Sequence, residues 1–183
     1  SIWFGLSELE LQSREAKMRA RLHHSSDVVV PPSDLLRGLF LGFDTFAADI
    51  MWIQALQYFG RQSQSNRTPV SLEDFADTIA DLDPYFYRVY PWFAATYRGS
   101  HFPISVQDIE TMNQFLDRGI RRFPDNWRLP YKAGMNYIGY PQNRTTRERL
   151  REINSSIDYL QRASALPGAP SNLPLTISFL YDR

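Results

Sequence analysis

The residues able to do covalent or metal chemistry are few. The chain has three histidines and no cysteine among 183 residues. Thiol nucleophiles, disulfide frameworks and zinc–thiolate sites are therefore excluded. His23 and His24 are adjacent, so they diverge on any regular backbone; they read as linker residues rather than ligands. His101 precedes Phe102 and Pro103 and reads as a turn residue. Carboxylates are more plentiful. Glu73, Asp74, Asp77, Asp81 and Asp83 crowd one stretch. Acid–base work needs a cleft that perturbs a carboxyl pKa, whereas this spacing places them on the polar face of an amphipathic helix. Asp44 and Asp49 differ, because they interrupt an apolar run. They read as partners of Arg37, Arg88 or Arg128 across the interior, or as contacts for another protein. An enzyme reading would rest on these two carboxylates and an arginine. No phosphate loop, nucleophile elbow, zincin motif or dinucleotide fingerprint is present. No catalytic residue, metal ligand or cofactor is assigned, and no small-molecule substrate is evident.

Arginine is the other conspicuous group, supplying 18 of the 20 basic residues beside Lys17 and Lys132. Arg118, Arg121 and Arg122 stand near the end of one helical stretch, where they suit the helix dipole. Arg144, Arg147, Arg149 and Arg151 open another, where they oppose it. Both groups read as solvated surface; the alternative is an anion- or lipid-binding face. The net charge is zero, but residues 1–92 carry −4 and residues 93–183 carry +4. That asymmetry can steer docking. No basic stripe interleaves with aromatics, so nucleic acid is not an expected partner. Three Asn-X-Ser/Thr triplets, at Asn66, Asn143 and Asn154, are short enough to arise by chance.

Helices must position these groups, since no sustained alternating pattern argues for strands. Ser7 with Glu10 forms a capping-box pattern for a helix over 7–22. Residues 23–34 read as a linker, extended before Pro31 and Pro32. Ser33 and Asp34 then offer caps for one long apolar helix over about 33–60. Further helices are expected over 71–82, 86–98, 105–122, 126–138 and 146–165, and a last apolar segment over 171–181. Breaks fall at Asp83-Pro84, Phe123-Pro124 and Leu166-Pro167. This divides the chain into 1–34, an N-terminal helix and extended linker, and 35–183, a helical repeat domain.

The repeat lies in three spaced pairs: Ala55 with Tyr58, Ala94 with Tyr97, and Gly134 with Tyr137. A small residue lets the helices of a hairpin approach closely, and an aromatic one turn later covers the joint. Pro69-Val70-Ser71-Leu72-Glu73-Asp74 and Pro103-Ile104-Ser105-Val106-Gln107-Asp108 are near copies at the start of the second helices, and Thr145 with Glu148 repeats the cap. Phe75 and Phe115 each stand nine residues before a closing Pro. No such unit buries its apolar face alone, so the units must stack.

This pattern resembles the tetratricopeptide repeat over about residues 45–167. Counted from Pro84 and Pro124, the small residue falls ten positions on and the Tyr thirteen on, as in that family. The period is about 40 residues rather than the usual 34, because the hairpin loops are longer. The resemblance implies an all-α fold: a right-handed α-solenoid of about three stacked antiparallel hairpins. More narrowly, Ala48–Gly60 and Phe123–Pro130 resemble a group of bacterial cell-envelope repeat proteins that carry an N-terminal membrane anchor. A non-catalytic scaffold is expected, an accessory subunit of a membrane-associated complex, periplasmic, with a cytoplasmic location as the alternative.

Trp3, Phe4, Tyr87, Tyr90, Trp127, Arg128, Arg144, Arg147 and Arg151 are the expected contacts with a protein or peptide partner. The apolar start at Ile2-Trp3-Phe4 reads either as a membrane-proximal segment or as a helix docked on its own core. Residues 173–181 read as a first helix with no second, so either they cap the array or the chain continues.

Overall fold

The computed structural model describes residues 29–62, 72–101, 103–138 and 145–181. Every regular element among them is helical: α1 Ser33–Leu39, α2 Asp44–Gln62, α3 Leu72–Leu82, α4 Val89–Ser100, α5 Val106–Arg122, α6 Arg128–Asn136, α7 Thr146–Ser164 and α8 Leu173–Tyr181. The expected 7–22 helix and the Ser71 cap lie outside the described residues.

One expected element is split in two. The apolar run over 33–60 breaks between Leu39 and Asp44, where Leu41 has φ 51° and Gly42 has φ 88°. The amide of Gly42 donates to the carbonyl of Arg37 at 3.4 Å. This six-to-one bond is the Schellman closure of a helix, and Leu41 occupies the left-handed position that glycine normally fills. The run looks continuous because its apolar residues recur at helical spacing with no Pro after Pro32; the stop depends on one bond and two positive φ angles. Ser33 is not the cap it was expected to be. Pro32 stands at that position without a side-chain bond, and Ser33 is the first helical residue. A domain boundary after residue 34 therefore falls inside α1, whose Leu36 is buried in the same core as α2 and α3.

Local chemistry explains the other starts. Ser105 and Asp108 form a complete capping box at α5, as do Thr145 and Glu148 at α7. Each satisfies two backbone amides that a helix start leaves open. Pro84 and Pro124 fall in the turns between α3 and α4 and between α5 and α6, where a ring that cannot donate ends one helix before the next begins.

Packing follows chain order. Each helix from α2 to α7 packs on the next, α8 packs on α7, α1 packs on α2 and α3, and α4 also touches α6. Two glycines set how closely neighbours approach. A methyl group on Gly119 would sit 2.7 Å from the ring of Tyr90, and one on Gly134 would sit 2.8 Å from Leu160. The larger core runs from Leu36 to Ala133, and a smaller one joins Ile157, Leu160 and Ala163 to Leu173, Ile177 and Leu180. No helix among the described residues is long and apolar enough to cross a membrane.

Candidate functional site

Two surface features bring functional groups together, and neither is visible as a motif. The first is a groove of about 740 Å³ between α1, α3 and α5, walled by Arg37, Asp81, Arg118, Arg121 and Arg122. Arg118 reaches back from α5 to α3, bonding Asp77 and, at 2.8 Å, Asp81. Arg37 donates to the carbonyl of Asp81 at 2.7 Å and pairs with Asp34 at 3.6 Å and Asp44 at 3.4 Å. Two of the four arginines are thus committed to carboxylates. Arg122 lies over the ring of Tyr85 at 5.8 Å. Burial pushes the pKa of Asp77 above its ordinary value, and Arg118 only partly pulls it back. The groove works mainly as an ionic tie between helices. Its pairs are half-exposed, so each contributes at most about 1 kcal/mol.

The second feature is an apolar corner where α1 meets α2. Leu41 is 86% exposed, Phe43 70% and Leu39 67%, with Leu35 and Phe46 beside them. Along α2 the exposed apolar stripe continues through Phe46, Ile53 and Leu56. These positions recur at helical spacing on one face, and exposed Asp49 stands among them. Asp49 has no salt bridge among the described residues, whereas Asp44 is taken by Arg37. Isolated exposed apolar residues are common on protein surfaces; here they recur along one stretch of chain. The left-handed conformation of Leu41 costs about 1–2 kcal/mol for a residue with a β-carbon.

The expected partner contacts fall in several places. Trp3, Phe4 and Arg144 lie outside the described residues. Tyr90 is only 1% exposed, and its hydroxyl donates to the carbonyl of Pro84 at 2.8 Å. It is a core residue, not a docking residue, because Gly119 lets α5 close over its ring. Burial accordingly raises its pKa. Tyr87 is half-buried, edge-on to Phe123 at 5.3 Å. Trp127 is half-buried, with exposed Arg128 over its ring at 5.1 Å. Arg147 and Arg151 are exposed one turn apart on α7. Tyr90 lines the Arg37–Arg118 groove from its buried position, whereas Tyr87, Trp127, Arg128, Arg147 and Arg151 do not line it. Of the repeat residues, Ala55, Tyr58, Ala94, Tyr97 and Gly134 are buried, and Tyr137 is half-buried, stacked near Tyr159 at 6.4 Å.

His101 stacks on Tyr97 at 4.0 Å, with its Nδ1 3.0 Å from the Tyr97 carbonyl. Asp108 accepts from Ser105 through side chain and backbone. Burial pushes its pKa up, but those bonds outweigh burial and hold it below the ordinary value. The hydroxyl of Tyr159 donates to Asp117 at 3.0 Å, tying α7 to α5, and burial with that carboxylate raises the Tyr159 pKa strongly.

The sequence signal for the apolar corner was present in Gly38-Leu39-Phe40-Leu41-Gly42-Phe43, two glycines framing apolar residues, but a continuous helix absorbs it. The Arg118 clamp has no local signal, since Asp77 lies 41 residues away in the chain. No family model, no curated protein and no solved structure matches this chain.

Proposed function

We propose that this protein is a non-catalytic scaffold: a tetratricopeptide-like solenoid that holds other proteins as an accessory subunit of a membrane-associated complex of the bacterial cell envelope. The solenoid reading rests on the three small-residue/Tyr pairs and on helices that pack in chain order. The binding reading rests on one observation above others, the exposed apolar corner of Leu39, Leu41 and Phe43. Leu175, Phe179 and Tyr181 on α8 add a second exposed apolar group. Burying such side chains in an interface yields about 25 cal/mol per Å² of apolar surface removed from water.

The test is purification of the full-length protein from its native membranes in mild detergent, with its mass measured in solution. A stoichiometric complex with other subunits is expected. Recovery as a lone monomer in the soluble fraction overturns the reading.

A further inference from the structure

The α1–α2 corner shows what kind of surface fits it. On α1, Leu35 and Leu39 lie on the side opposite Ser33, Asp34 and Arg37, which face the ionic groove. The apolar corner is therefore separate from that groove. On α2, Phe46, Asp49, Ile53 and Leu56 form one stripe, all exposed. Asp49 sits in the middle of it with no salt bridge among the described residues, although Asp44, one turn and a half earlier, has Arg37. Asp34 and Arg37 lie on the groove side and Asp44 pairs with Arg37, so Asp49 is the charge that stands among these exposed apolar residues. The face is thus apolar with negative charge in it.

Leu41 adds an independent observation. It holds the position of a Schellman motif where glycine is the unstrained choice, and its side chain is almost wholly in solvent. Packing among the described residues does not explain a leucine there.

We propose that this corner docks a cationic amphipathic helix of a partner protein, its apolar stripe laid over Leu41, Phe43, Phe46 and Ile53 and a Lys or Arg placed against Asp49. This rests on the scaffold reading and deepens it. A second copy of the same face brings Asp49 towards Asp49, and like charges oppose each other in an apolar setting. An anionic lipid surface is repelled by the Asp49 carboxylate. A helix with basic flanks meets both the apolar and the charged demand.

The test titrates the full chain with two synthetic amphipathic helical peptides. They share a leucine stripe and differ only in lysine or glutamate flanks. The lysine peptide is expected to bind and the glutamate peptide not. Asp49→Lys is expected to weaken the lysine peptide at least tenfold and to create binding of the glutamate peptide. Leu41→Gly is expected to weaken the lysine peptide about tenfold while the melting temperature holds or rises, which separates lost contact from lost fold. Lysine-peptide binding unchanged in both variants overturns the proposal. So does Leu41-dependent binding of phosphatidylcholine or phosphatidylglycerol vesicles without peptide binding, which assigns the corner to lipid. Concentration-dependent dimers abolished by Leu41→Gly assign it to a second copy and likewise overturn it. If a native complex forms and survives both substitutions, this inference falls and the scaffold reading stands.

Discussion

Single residues carry unusual constraint at two places. Gly119 has Tyr90 against it, and Tyr90 cannot retreat because its hydroxyl is bonded to Pro84. A methyl group there must displace a fixed ring. Gly119→Ala is therefore expected to cost about 1–3 kcal/mol, the range for overpacking a filled core, although alanine is the better helix former. Chemical denaturation checks this; an unchanged or raised midpoint refutes it. Leu41 runs the other way. Leu41→Gly relieves a left-handed strain of about 1–2 kcal/mol and loses about 0.5–1 kcal/mol to the freer unfolded chain. The net expectation is a melting temperature that holds or rises slightly. A clear fall in melting temperature means that Leu41 packs inside the fold and is not held out for a partner.

At the scale of elements, the capping boxes link sequence to stability most directly. Asp108 has a folded pKa held below the ordinary 3.8. A carboxylate with a depressed folded pKa stabilises above its unfolded pKa, and the effect fades as pH falls through the folded value. Asp108→Asn is expected to cost about 1 kcal/mol near neutral pH and almost nothing at acid pH where the carboxyl is already protonated. Melting both proteins across that range gives the comparison, and a difference constant down to strong acid is inconsistent with the box. Such boxes were legible beforehand because their members are three residues apart, as were the Pro breaks and the all-helical class. The break at Leu41 and Gly42 was not, since a positive φ in leucine follows no local preference. The burial of Tyr90 was also hidden: helical periodicity says which residues share a face, not which neighbour covers it. The tie of Arg118 to Asp77 and Asp81 joins helices far apart in the chain, so only the folded arrangement reveals it. Its energetic weight is small. Arg118→Ala is expected to lower stability by no more than about 1 kcal/mol, and by less in high salt.

For the whole molecule, the described helices bury two apolar cores rather than one. The Leu36–Ala133 core and the Ile157–Leu180 core meet through α6 and α7. That junction is close-packed, with Tyr131, Met135 and Ile138 set against the smaller core and Tyr159 against the larger. The hydroxyl of Ser156 donates to the carbonyl of Gly134 at 3.0 Å, and Leu160 lies over the same glycine. A side chain on Gly134 would press on both. Gly134→Val is therefore expected to loosen α7 and α8 while α3, α4 and α5 keep their own burial. Hydrogen exchange resolves this, because it reports opening segment by segment. Amides of α7 and α8 are expected to exchange faster in the variant, and those of α3 to α5 at their former rate. Equal acceleration across all helices would show that the two cores open as one unit. Strain at the Gly134 junction would then spread through the entire stack instead of stopping at α6.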